Sequence, residues 1–177
     1  MITIRSAKSH MENEEGMNHL WIKIIPPEEL TEQTCIHIDL PKGVQRLPNV
    51  NGYKENEQGW IYIDEITFQH DLLIEIYTTS SIECGDSTIF AQVVFKQQNQ
   101  EDIVMDSSLC LPIVSEESMD QLVVDEEVVS LVKRKLAERS EGDTVKGKER
   151  DYVVIHPKLY ELSIEMTELE KKYRITF

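Results

Sequence analysis

Histidines are the side chains best suited to move a proton or hold a metal near neutral pH. His10, His19, His37, His70 and His156 lie far apart, with no HxH or HExxH spacing to gather them. The cysteines Cys35, Cys84 and Cys110 are odd in number and form no CxxC pair, which argues against a zinc site and against a disulfide framework. Carboxylates are abundant, as in Glu116-Glu117 and Asp125-Glu126-Glu127. In a chain with 33 acidic residues such runs read as a solvated face or a helix start rather than as an acid/base pair. Ser87, after Cys84-Gly85-Asp86, leads into an apolar alternation and lacks the GxSxG elbow of a nucleophile. No glycine-rich phosphate cradle is present, and no signature flanks Cys84 or Cys110 for Cys/His catalysis. A protein with no catalytic motif, no cofactor and no metal is expected.

The remaining chemistry is contact. Trp60 and Tyr62 alternate within "WIYIDEITF", so a strand there presents both on one face. They serve either as sheet-face packing or as an anchor pair at a protein interface. Leu159, Leu162, Met166, Leu169 and Tyr173 repeat every three or four residues, a stripe as narrow as a coiled-coil seam if 157–173 is helical. The same stretch also reads as a strand through Tyr160, Leu162, Ile164 and Met166. Helix is the expectation, because Pro157 suits a first helical position and the run is long for a strand.

These residues need a scaffold. From Leu20 to Val114 the apolar pattern has a period of two, broken by turn chemistry. Strands are expected at 20–25, 34–40, 60–68, 72–82, 87–97 and 103–114, with a short one near 44–47. In "STIFAQVVFKQ", Ile89, Ala91, Val93 and Phe95 form the inward row. Six to seven short strands without helices between them signal an antiparallel β-sandwich with C-terminal α-helices. Asp125 is a good helix cap, and Val128, Leu131, Val132 and Leu136 follow at helical spacing, so a helix is expected over 124–139. The organisation reads as an uncertain or disordered N-terminus at 1–17, a sandwich at 18–115, and a helical appendage at 116–177 with a polar linker at 141–151. Met11 and Met17 are alternative starts, and Ser9-His10-Met11 resembles a tag remnant.

A chain of 177 residues buries a core without staples. Its formal net charge of −15 repels phosphate backbones and anionic headgroups, so neither nucleic acid nor a membrane surface is an expected partner. No apolar run approaches the ~20 residues that span a bilayer, and the first residues lack the apolar core of a secretion signal. Cysteines beside apolar runs read as buried thiols in a reducing, cytoplasmic setting.

The stretches "IHIDLPKGV" (36–44), "WIYIDEI" (60–66), "LLIEIY" (72–77), "IECGDSTIFAQVVFK" (82–96) and "VVDEEVVSLVKRKLAE" (123–138) together resemble a known region. It is the β-sandwich that follows the von Willebrand A domain in bacterial proteins of the calcium-activated chloride channel/inter-alpha-trypsin inhibitor kind. The A domain itself, with its metal-dependent ligand site, is absent from this chain. The resemblance implies a sandwich with an accessory, protein-contacting role. The expected function is a non-enzymatic interaction or scaffold module that binds a protein partner or itself. The alternative is a small hydrolase or carbohydrate-type binder with a site built from loops around Asn49–Trp60.

Overall fold

The computed structural model describes residues 1–27, 33–64, 68–97 and 101–145, with backbone alone for 140–145. The strands in chain order are β1 (Ile2–Ser6), β2 (Met11–Glu12), β3 (Met17–Ile24), β4 (Gln33–Asp39), β5 (Gln45–Arg46) and β6 (Lys54–Glu55). They continue as β7 (Ile61–Asp64), β8 (His70–Tyr77), β9 (Thr88–Lys96), β10 (Ile103–Cys110) and β11 (Ile113–Val114). A 3-10 turn covers Glu116–Gln121, and helix α1 covers Glu126–Val145.

Two antiparallel sheets, ordered β1-β3-β8-β5 and β10-β9-β4-β7-β6, enclose one core; β2 and β11 form a separate parallel ribbon. The fold is the antiparallel β-sandwich that the alternation predicts. Register sets the inward rows. Ile4 lies opposite Ile22, Leu20 opposite Ile74, Ile36 opposite both Val93 and Ile61, and Ile38 opposite Ala91. Val93 is 0% exposed, as are Ile36, Ile61 and Ile89 beside it. Burying each such side chain contributes about 1.5–3 kcal/mol. "IHIDLPKGV" ends β4 in a tight turn: Val44 N donates to the Pro41 carbonyl at 3.0 Å and Gly43 adopts φ +89°. A Cβ at Gly43 would meet Ile82 Cγ2 at 2.4 Å, so the turn needs glycine twice over.

Three expectations are corrected. Residues 1–17 are not a loose terminus. β1 pairs along its whole length with β3, and Met11, in the tag-like stretch, is fully buried. Ile2 and Ile4 alone are too few for a period to stand out in the sequence. The strand count rises from seven to eleven among the described residues because β1, β2 and β6 join those expected and the strand expected at 103–114 divides into β10 and β11. Helix α1 runs to Val145, so 141–145, expected as linker, is helical. One glycine at 142 costs about 1 kcal/mol in a helix, which good helix formers before it offset.

Asp125 caps α1 through its Oδ1, which accepts from Glu127 N at 3.1 Å and Val128 N at 3.3 Å. Val128 and Val132, four residues apart, bury against Ala7, Trp21, Val50 and Leu73. The outer face of the four-stranded sheet is thereby roofed by α1. The compact unit spans Met1–Val145. The expected stripe Leu159, Leu162, Met166, Leu169 and Tyr173, and the rest of the linker, lie outside the described residues.

Candidate functional site

The outer face of the five-stranded sheet has no element over it among the described residues. Its side chains follow from register. Val104 lies opposite Val94, Val94 opposite Cys35, Cys35 opposite Tyr62, and Tyr62 opposite Lys54, so one row crosses all five strands. The next row runs Asp106, Gln92, His37. Trp60, just before β7, covers His37 with ring centroids 5.0 Å apart and planes tilted by 44°. Phe90 and Val104 are each 53% exposed on this side.

Trp60 and Tyr62, the pair expected on one strand face, do lie together, at a shallow hollow of about 310 Å³. Gln33, Cys35, Gln58 and Val94 share its lining. Asn56 holds the pair in place. Its Oδ1 accepts from Trp60 N at 2.9 Å and Gln58 N at 3.0 Å, and its Nδ2 donates to Tyr62 Oη at 2.9 Å. The Tyr62 ring and the Trp60 backbone are thus set before any partner arrives, and the Trp60 ring rests on His37, which lowers the ordering cost of binding. Lys96, at the same hollow, is paired with Asp102. Burial pushes the Cys35 thiol up from its ordinary value, so the floor of the hollow carries a neutral SH, a poor nucleophile. Sequence reasoning missed His37, Val94, Cys35 and Asn56. The parity of His37, Val94 and Cys35 was readable, but not the strand order that makes them neighbours; Asn56 lies in the turn between β6 and β7, where no period applies.

The loop around Asn49–Trp60 spends its polar groups on its own shape. Asn49 donates through N and Nδ2 to Glu55 Oε1 at 2.7 and 2.6 Å, and Arg46 donates to Glu55 Oε2 at 2.8 Å. Burial alone would raise the Glu55 carboxyl. The hydrogen bonds from Asn49 and Arg46 outweigh it and hold the group below its ordinary value. An ionised, saturated carboxylate of this kind fixes a loop and is a weak general acid. Asn51 ties the loop to β8, donating to the Asp71 carbonyl at 2.8 Å and accepting from Leu73 N at 2.8 Å.

A second hollow of about 180 Å³ lies between this loop and α1, where Tyr53, His70, Asp71 and Arg134 line it. It is smaller than the ~300–1,000 Å³ usual for small-molecule sites. The histidines are dispersed. His19 Nε2 is 3.3 Å from Glu75, His37 Nδ1 is 3.4 Å from Asp39, His70 Nδ1 is 3.4 Å from Tyr53 Oη, and His10 Nδ1 is 2.9 Å from Ser9 Oγ. No three His, Cys, Asp or Glu side chains converge among the described residues. Of the free thiols only Cys35 is buried; Cys84 and Cys110 are exposed, contrary to the expectation of buried cysteines. No helix among the described residues is long and apolar enough to cross a membrane.

No protein-family model and no curated protein matches the chain. Among solved structures it is similar to a two-domain fragment of the major pilin SpaD from Corynebacterium diphtheriae, with TM-score 0.44 and 12% identity over 60% of this chain and 51% of that one. It is similar also to self-complemented MyfA, the major subunit of Myf fimbriae from Yersinia enterocolitica, with TM-score 0.41 and 5% identity over 63% of this chain and 98% of that one. BcpA, the major pilin subunit of Bacillus cereus, gives TM-score 0.42 and 11% identity over 64% of this chain and 41% of that one. The chain therefore spans about half the length of the SpaD fragment.

Proposed function

We propose that this chain is a non-enzymatic interaction module that binds another polypeptide with the outer face of its five-stranded sheet. One observation carries the reading: α1 roofs one sheet, whereas the other leaves the row Val104, Val94, Tyr62 and the held Trp60 uncovered among the described residues. Aromatic side chains on such a face are the usual energetic anchors of protein contacts. The accessory role implied by the resemblance to sandwiches that follow von Willebrand A domains agrees with this reading. A photo-crosslinking residue at Val94, in cells that naturally make the protein, is expected to trap a polypeptide of discrete mass. Trp60→Ala with Tyr62→Ala should abolish the adduct. Trapping no stronger than at exposed Ser130 on α1 would refute the proposal.

A second reading has its own observation. The amides of Gln33 and Gln58 flank Trp60 and Tyr62, and an aromatic platform edged with amides also suits a sugar ring. Titration with oligosaccharides tests it. A change in tryptophan emission that disappears in Trp60→Ala favours the sugar; no change removes it.

A further inference from the structure

A strand at a sheet edge offers unpaired N–H and C=O groups to any other strand, and proteins blunt such edges with short strands, charges or proline. Three of the four sheet edges here are blunted. β5 and β6 are two residues each, and β1 is only five. The fourth is different. β10, "IVMDSSLC", is eight residues long, contains no Lys, Arg, Pro or Gly, and has ladder pairing only with β9 among the described residues; β1 lies beside it across the seam of the sandwich without joining its ladder, and Met1 N lies 3.7 Å from Met105 Sδ. Its one charge, Asp106, points outward.

The sequence of β10 is also chemically symmetric about Ser107. Two copies running antiparallel about a two-fold axis at Ser107 would set Val104 opposite Cys110, Met105 opposite Leu109, Asp106 opposite Ser108 and Ser107 opposite itself. Each pair joins like faces of the sheet, and each matches apolar with apolar or polar with polar. A centre at Asp106 would instead oppose two carboxylates, which destabilises a cross-strand pair. A shift by one residue would set inward side chains against outward ones. Centres at Met105 and Ser108 would set Asp106 against Val104 and against Cys110, so the Ser107 centre is the one of these four that matches every pair.

We infer that a second copy of this chain pairs with the free edge of β10, antiparallel and centred on Ser107, joining two five-stranded sheets into one of ten strands. The interface is isologous, as a two-fold dimer requires. It also continues the outward row at Val104 into the neighbouring molecule. The inference concerns the edge and stands apart from the outer-face contact proposed above.

The test uses the full chain with Cys84→Ser throughout, at about 150 mM salt, where a Debye length of ~8 Å screens the negative charge. Sedimentation should show a concentration-dependent dimer. Val104→Lys, a change at an exposed position, should leave the melting curve in place and return the protein to monomer. Val104→Cys, treated with a mild oxidant or a short bismaleimide, should give a covalent dimer through the native Cys110 of the second copy. Within one chain these positions are six residues apart on a strand, about 20 Å, and cannot be bridged. Adding Cys110→Ser should abolish the crosslink. A monomer at every concentration, a dimer that Val104→Lys leaves intact, or a crosslink that survives Cys110→Ser would each overturn the inference. Val104 also belongs to the outer-face row, so the two proposals are separated by adduct mass: a Val94 adduct of twice the chain mass reports the second copy, and one of any other mass reports the separate partner.

Discussion

Arg5 reaches from β1 to the start of α1. Its Nε and Nη2 donate to Asp125 Oδ2 at 2.9 and 2.5 Å, its Nη1 donates to Glu127 at 2.6 Å, and its guanidinium lies 5.0 Å from the centroid of the Trp21 ring. Asp125 is thus both helix cap and anion to Arg5. Burial alone would raise its carboxyl; the Arg5 hydrogen bonds and the backbone N–H groups of α1 hold it below the ordinary value. A lowered carboxylate contributes stability above its unfolded pKa and loses it as pH falls through the folded one. The link between α1 and the sheet should therefore loosen only in acid, below the ordinary aspartate range. Asp125→Ala should cost about 1–2 kcal/mol through the lost cap and partner, or roughly 2–8 °C in melting temperature, with a smaller effect in acid than at neutral pH. An equal effect at both would place the contribution elsewhere. Thr34 makes the opposite case. It is fully buried on the inner side, and its Oγ1 has no hydrogen-bond partner among the described residues. Thr34→Val keeps the shape and removes the hydroxyl, so a gain of about 1 kcal/mol is expected; a melting temperature that falls would show that the hydroxyl is satisfied.

At the scale of elements, β9 joins the edge strand β10 to the central strand β4, and Val93 lies in the middle of its inward row. Val93→Asp should destabilise by more than ~3 kcal/mol, because an unpaired charge would enter the core. A mutant that melts within a degree or two of the parent would contradict the register. This strand was legible because four inward residues, Ile89, Ala91, Val93 and Phe95, fall on every second position, and β4, β7 and β8 were legible for the same reason. β2 and β6 were not, since two residues cannot show a period. The continuation of α1 past Arg139 was hidden by Gly142, which reads as a break when only local propensity is weighed. The site was half legible. Parity places Trp60 with Tyr62, but His37 and Val94 reach them only through the order β9-β4-β7, which is set by packing among distant segments. Likewise, α1 was readable as amphipathic, while its target at Trp21 and Leu73 was not.

At the scale of the whole molecule, the last buried member of either core cluster among the described residues is Val132. A chain ending at Val145 should therefore fold with a melting temperature close to that of the full protein, measured by circular dichroism. A large drop would mean that residues after 145 are part of the stable unit. The same instrument should record an unchanged melting curve in EDTA. A clear loss of signal would revive the acidic clusters as cation ligands.

The parallel ribbon joins Met11 and Glu12 to Ile113 and Val114, and Arg5 meets its partner 120 residues further on. These contacts order events during synthesis. At about 5–20 residues per second, that separation of 120 residues keeps Arg5 waiting roughly 6–24 s, and passage through the ribosome adds to the delay. β1 can dock on β3 early, but the strap that closes the sandwich cannot form until nearly all of the described chain has emerged. A nascent chain stalled before residue 113 should thus expose Met11 and the apolar ends of both sheets, and would be a natural client for a ribosome-associated chaperone.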